Sequence, residues 1–599
     1  MKLIFEYQDE QISGHVKDII DNQNRSGNHH HHKACNYEGG SGSNGSSGSG
    51  SSGSNGSNGS SGSGINGSII DLIDKSLVRE SLPIPDLSEA TVVRHYTNLS
   101  RLNYGIDVGL YPLGSCTMKY NPRSNEDISS LEGFKDLHPY SNIDSMQGSL
   151  RIMWELEQYL IELTGMESFS LQPSAGAQAE LLGLMIAKAF FADGIHGNKR
   201  AAVIIPDSAH GSNPASASML GYKILSIPTN VRGNMDFKRF EEVLDDSVAV
   251  VMLTNPNTLG LYEEDIMQIS DAARTNGSLM YCDGANMNAL LGITRPADQG
   301  FDMIHLNLHK TFSAPHGGGG PGAGVLGVKS HLSDYLPVPR IVREHDGCGL
   351  VNLHNTSTTN ANTSFTAIHT RTSNNGQSFG ARSGHRNVLD LRRAHGEFEK
   401  QGDEDTDSEN EFVLDYTKRK SVGRIKCFYG NFGTIVRAYS YLRSWGSNIR
   451  KVSEGAILNA NYLMSLLKDI YELPFNRPCA HEFVLTSKKF GNKSALGIAK
   501  RLLDYGYHPP TIYFPLMVRE ALMIEPTETE SKQTLDEFAS ALTRIANELE
   551  TDPDVVWGAP HTKHVGRLDE VFAARKPNLK WNPTAQADES PRGGRERID

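Results

Sequence analysis

The chain has 599 residues, 38% of them hydrophobic and 21% charged, with a net charge of −12. That length calls for several domains, and the negative balance excludes a general nucleic-acid binder. No apolar run approaches the roughly 20 residues needed to cross a bilayer, so a soluble protein without a membrane anchor is expected.

The N-terminal stretch Met1–Glu10 is too short in its apolar part and too acidic for a secretory or transit peptide. Six scattered cysteines (Cys35, Cys116, Cys282, Cys348, Cys427, Cys479) include no Cys-x-x-Cys pair. That suits free thiols in a reducing compartment, cytoplasmic or the mitochondrial matrix, better than a disulfide framework or a zinc site. Residues 39–64 contain only Gly, Ser and Asn, too polar to offset backbone entropy, and read as a flexible coil with ends roughly 30 Å apart. His29–His32 before it read as part of a polar tract, so 1–68 is taken as disordered.

Order is expected from Ile69, with 69–150 forming an arm and a loop. Pro83–Ala90 predicts an extended segment entering a helix with Ser88 as N-cap. Tyr111–Arg123 is a loop of small polar, aromatic and basic residues between two prolines, either a binding loop or an irregular connection.

Leu150, Met153, Leu156, Leu160 and Leu163 recur at helical spacing, with Gly165 as the stop. Over 151–344, β-rich runs then alternate with amphipathic segments. Strands are predicted at Ala202–Ile205, Lys223–Ile227, Val248–Leu253, Leu279–Tyr281 and Met303–Leu308. Helices are predicted at Leu181–Phe191, Phe237–Leu244 and Ile266–Thr275. This alternation implies an α/β domain with a mainly parallel sheet covered by helices, whose ligand sits at the carboxyl ends of the strands.

The notable loops follow those strands. Pro173–Gln178 precedes a helix, where small residues leave N–H groups free for a phosphate. His210 ends one strand, where an imidazole can stack on a planar ring, and Thr254–Gly260 is a polar turn. Asp283 follows a short apolar strand and needs a cationic partner. Each alone is as readily a turn or cap. Lys310 then ends the apolar strand before Gly317–Gly320, which permit close backbone approach to a ligand. Desolvating an ammonium there is costly, which frees the amine for a Schiff base. Phosphate loop, stacking residue, aspartate and lysine, in that order, fit a pyridoxal phosphate enzyme of fold type I, whose aspartate keeps the ring nitrogen protonated.

Residues 345–411 lose all hydrophobic period and read as a disordered insertion. The sequons at Asn355 and Asn362 are fortuitous if the chain carries no secretory signal. A smaller α+β domain is expected over 412–581, with helices at Phe432–Trp445, Val452–Leu467, Leu496–Asp504 and Leu535–Leu549. Its strands are predicted at Glu482–Thr486, Ile512–Phe514 and Ala521–Ile524. Pro478–Val484 and Glu525–Glu530 bring polar groups to strand ends, as site residues or as caps. The tail 582–599 reads as loose.

Several long motifs resemble one family: Arg94–Gly105, Tyr111–Pro122, Thr254–Gly260, His305–Phe312 and His508–Pro515. They are similar to subunit 2 of glycine dehydrogenase (decarboxylating), the P-protein family of the glycine cleavage system, over about 69–343 and 412–581. The resemblance implies a glycine dehydrogenase (aminomethyl-transferring) that decarboxylates glycine with pyridoxal 5'-phosphate and passes the aminomethyl group to the lipoyl arm of an H-protein. It also implies a subunit 1 partner in an α2β2 heterotetramer that covers apolar surface beside Tyr111–Pro122. By resemblance Lys310 carries the cofactor, Asp283 pairs with its ring nitrogen and His210 stacks on the ring. Ser174, Gly176 and Ala177 lie near the phosphate, Asn255, Ala285, His309 and Thr311 line the pocket, and no metal is called for. An aminotransferase or amino-acid decarboxylase of the same fold type would use the same Lys310 and Asp283.

Overall fold

Parallel strands buried on both faces read as unbroken apolar runs, and the runs in the middle of this chain become one sheet. In the computed structural model the described residues are 74–78, 86–194, 199–317, 322–344, 411–577 and 579. The Gly/Ser/Asn tract, Gly318–Gly320, 345–410 and the tail beyond Trp581 lie outside them, as do the readings made of those segments. The chain divides into two compact units, Met1–Asn103 with Leu568–Asp599, and Tyr104–Arg567. The first holds the helix Glu89–Ser100, where Ser88 Oγ accepts the Thr91 N–H at 3.3 Å as the N-cap reading requires.

The larger unit is built on seven strands: β1 (Ser168–Ser170), β2 (Ala202–Pro206), β3 (Lys223–Ile227), β4 (Val248–Thr254), β5 (Leu279–Asp283), β6 (Met303–Asn307) and β7 (Gly324–Val328). Their order is β1-β7-β6-β5-β4-β2-β3. Pairs from β3 to β6 are parallel, and β7 runs antiparallel to both β6 and β1. β1 and β7 are the two strands that apolar periodicity does not reveal. Side-chain alternation divides the core. Ile204, Val251, Cys282 and Ile304 face the helices Gln147–Thr164, Ile266–Asn276 and Phe432–Trp445. Val203, Val250, Tyr281 and Met303 face the helix Gly176–Asp193. Gly165 ends the helix Gln147–Thr164 in the left-handed region at φ 72°, as expected of a C-terminal glycine.

β8 (Arg340–Arg343) pairs antiparallel with β9 (Phe412–Asp415), on either side of residues 345–410. A second sheet, ordered β10 (Phe483–Thr486), β12 (Ala521–Ile524), β11 (Thr511–Ile512), is antiparallel. Its core is closed by the helices Arg450–Leu467, Ser494–Asp504 and Lys532–Thr551.

The Tyr111–Arg123 loop is fastened to this small sheet. Leu113 bridges Ile524, the Gly114 N–H donates to Met523 O at 3.2 Å, and Thr511 Oγ1 donates to Gly114 O at 2.7 Å. Farther along, Lys119, 5% exposed, pairs with Glu528 at 2.7 Å. The loop thereby reaches the large sheet's carboxyl edge from the small sheet.

Candidate active site

At that edge lies a cavity of about 160 Å³, against the roughly 30 Å³ a water occupies in the liquid. It is lined by Lys310, Asp283 and His210 together with Ala177, Ala285, Glu180 and Ser212. Thr254 at the end of β4, Pro256 and Thr258 after it, Asn307 at the end of β6, and Ser115, His481 and Glu482 complete most of the wall. Strand ends separated by more than a hundred residues converge here because β1, β2, β4, β5 and β6 all point their carboxyl ends to one side.

Asp283 is 3% exposed. Its Oδ2 accepts from Asn213 Nδ2 at 2.9 Å, its Oδ1 accepts from the Ala285 N–H at 3.1 Å, and His305 Nε2 lies 3.2 Å from Oδ1. Burial opposes ionisation, but His305, Asn213, Lys310 and the Ala285 amide together hold the carboxyl below its ordinary value. His305 is steadied in turn by Tyr281, whose hydroxyl is 3.0 Å from Nδ1. A buried anion on the cavity wall is what a protonated ring nitrogen requires.

Lys310 stands in the turn after β6, its N–H donating to Asn307 O at 3.1 Å. His210 is exposed at the cavity mouth with its ring edge-on to Phe514, centroids 5.7 Å apart. Desolvation by its surroundings lowers its imidazole below the usual value, against Asp283 and with the help of Lys310.

The phosphate loop has the form of a cradle. The helix Gly176–Asp193 starts without a side-chain cap, leaving its first N–H groups for another acceptor. A Cβ on Gly176 would stand 2.2 Å from Asn307 Oδ1, so only glycine brings the helix this close. Thr254 Oγ1, Asn307 Oδ1 and Glu180 Oε2 are buried polar atoms without partners in the structure. An open helix terminus, a buried aspartate, a lysine and three unsatisfied polar atoms fit pyridoxal phosphate.

Other anticipated residues take different places. Ser174 turns its N–H and Oγ to Gln178 Oε1, at 2.7 and 2.8 Å. Asn255 is buried between Gln299 and the Glu263 N–H, at 3.1 and 3.0 Å, behind the wall that Thr254 and Pro256 form. Thr311 Oγ1 accepts the Met287 N–H at 2.7 Å. His309 Nδ1 accepts the Ala323 N–H at 3.2 Å, and burial, with Lys310 and His316, lowers its ring to about 4.

Sequence reasoning left Pro478–Val484 and Glu525–Glu530 open between site residues and caps, and missed that they meet in an acidic wall. The nearest polar atoms of His481, Glu482 and Glu525 lie within 4.8 Å of one another. Glu525 accepts from Thr117 Oγ1 at 2.9 Å and from Asn286 and Asn288 at 2.9 and 2.8 Å. Glu482 accepts the Ser115 N–H at 2.8 Å, from a residue in the left-handed region at φ 65°. Burial and the Glu525 charge push the Glu482 carboxyl well above its usual range. Glu180, His305 and Asn213 were also missed. The signal for Glu180 was a lone acid in the apolar helix segment Ala179–Ile186.

A probable glycine dehydrogenase (decarboxylating) subunit 2 of Caldanaerobacter subterraneus subsp. tengcongensis is 47% identical over 515 residues, covering 85% of this chain and 93% of that protein. The protein of the same description from Alkaliphilus oremlandii is 48% identical over 514 residues, covering 85% and 92%. The chain belongs to the glycine dehydrogenase (decarboxylating) subunit 2 family. Residues 452–561 match the family described as glycine dehydrogenase, C-terminal domain, and 185–359 match aminotransferase class-V. Among solved structures, a glycine decarboxylase (P-protein) of the glycine cleavage system in inhibitor-bound form shares the fold. Its TM-score is 0.58 at 18% identity, covering 80% of this chain and 94% of that one.

Proposed function

We propose that this family member decarboxylates glycine with pyridoxal phosphate and passes the aminomethyl group to the lipoyl arm of an H-protein, beside a subunit 1 partner in an α2β2 assembly. The observation that carries this reading is Lys310 and Asp283 on the wall of one cavity, in a chain nearly half identical to proteins described as that subunit. When bound, pyridoxal phosphate supplies a ring that accepts the electron pair left as CO2 departs.

The chain's own residues do the rest. The Lys310 amine holds the cofactor, and the first N–H groups of the helix from Gly176 hold its phosphate, with Ala177 beside them. Asp283, kept anionic by His305 and Asn213, holds a proton on the ring nitrogen. His210 covers the ring from the mouth and Ala285 borders it. Among the described residues lining the cavity there is no arginine, which argues against the aminotransferase reading, where an arginine usually clamps the substrate carboxylate. No helix among the described residues is long and apolar enough to cross a membrane. A cytoplasmic setting suits the four described cysteines, all free.

Borohydride reduction of the cofactor-loaded chain should label the peptide carrying Lys310. Lys310→Ala should abolish both the label and glycine–bicarbonate exchange; retained exchange overturns the assignment. Mixing with a subunit 1 homologue should yield a larger species and raise exchange, and lipoylated H-protein should raise it further. An isolated chain working at the full rate of the mixture overturns the partner.

A further inference from the structure

Behind His210 the cavity wall holds a carboxyl that the proposed reaction does not use. Glu180 is 4% exposed, in the helix over the sheet. Its Oε1 lies 2.9 Å from Ser212 Oγ, which lies 2.7 Å from His210 Nδ1. The Ser212 N–H also donates to that Nδ1, at 3.2 Å. These distances constrain the protons. Nδ1 accepts the backbone N–H, so it carries no proton of its own, and the ring's proton is on Nε2. With Glu180 ionised, the Ser212 hydroxyl is drawn to the carboxylate and its oxygen faces the Nδ1 lone pair without a proton between them. With Glu180 protonated, the carboxyl donates to Ser212 Oγ and the serine hydroxyl donates to Nδ1. That second arrangement places a proton between each neighbouring pair from Glu180 Oε1 to His210 Nδ1.

We propose that Glu180 is a positioning residue that, carrying a proton, fixes His210 through Ser212 as the neutral tautomer with its N–H on Nε2. The charged and titratable groups facing Glu180 are Asp283, His305 (Nε2 at 3.8 Å), Lys310, Tyr281 and, through Ser212, His210. Burial first, and then the Asp283 charge, raise the Glu180 carboxyl to about 7, so the proton is present through the acidic range and leaves near neutrality. This deepens the reading of the cavity as a pyridoxal phosphate site, because a ring-covering histidine whose Nδ1 already accepts hydrogen bonds resists becoming a cation against a protonated pyridine. The relay itself belongs to the cofactor-free chain.

Nitrogen-15 histidine spectra of the full chain without cofactor test it, the His210 signals being assigned by their loss in His210→Asn. Below the Glu180 titration the ring should be the Nε2–H tautomer, with its Nδ1 signal moving as pH rises through about 7. Glu180→Gln should keep the tautomer and abolish that movement. Ser212→Ala should weaken the tautomer preference about fivefold, the equivalent of one neutral hydrogen bond. An Nδ1–H tautomer in the natural chain, or identical pH behaviour in Glu180→Gln, overturns the relay. Loss of glycine–bicarbonate exchange in the unaltered chain would instead count against the proposed reaction and leave these spectra unaffected.

Discussion

The backbone of Gly260 lies against the backbone of Glu482. The Ala480 N–H donates to Gly260 O at 2.7 Å, Gly260 sits at φ 74°, and a Cβ there would stand 1.8 Å from Glu482 O. The turn after β4 therefore fixes the strand that carries the acidic wall. Gly260→Ala should cost about 1–3 kcal/mol through strain at positive φ and displacement of that strand. Denaturant unfolding measures this, and glycine affinity should fall along with stability. An unchanged unfolding midpoint would show that the contact yields freely.

Gly176 makes the comparable approach on the other wall. Gly176→Ala would push Asn307 away and lift the helix terminus from the phosphate position. Roughly tenfold weaker retention of pyridoxal phosphate is expected, the worth of about one charge-assisted hydrogen bond. Equilibrium dialysis of natural and variant chains decides it, and equal retention would place the phosphate elsewhere.

Replacing Asp283 tests the ring-nitrogen role. Asp283→Asn keeps the shape but removes the anion, so cofactor should still bind while decarboxylation slows by on the order of 10² to 10⁴. Near-normal exchange would assign the role to another group.

Glu180 also ties stability to pH. Its carboxyl titrates at about 7 in the folded chain against a reference value of 4.5, so the folded state holds a proton that the unfolded state has released. Stability from this group is complete below the reference value and is lost as pH rises toward about 7. Glu180→Gln cannot ionise and escapes that loss. It should match the natural chain near pH 5 and exceed it by on the order of 1–3 kcal/mol near pH 8. Parallel stability curves would exclude the effect.

Where local chemistry determined the outcome, the sequence was readable. β2 to β6 announce themselves as apolar runs, and β3 and the helix Phe432–Trp445 have the limits that periodicity predicts. β7 was missed because Gly324-Val-Leu-Gly-Val carries two glycines, and β1 because three residues are too few for a period. The helix expected from Leu181 starts at Gly176, since Gly176-Ala-Gln-Ala-Glu180 carries no large apolar marker. Asp283, His210 and Lys310 were legible because each ends or follows a strand. The partners of the acidic wall were not: Ser115 meets Glu482, and Thr117 meets Glu525, across more than three hundred residues. No local pattern encodes such a meeting. It follows from the small sheet taking up Leu113 beside Ile524.

The β8–β9 stem has a practical consequence. Arg343 pairs with Phe412, the Glu344 N–H donates to Glu411 O at 3.0 Å, and Arg343 holds the Glu411 carboxylate at 2.7 Å. Glu344 and Glu411, which flank 345–410, are thus held side by side. Loop-closure entropy changes by only about 0.6 kcal/mol per doubling of length, so this point in the chain is an insertion port. A fluorescent or affinity domain spliced there would be carried on a four-pair hairpin, with both cavity walls left covalently as they are.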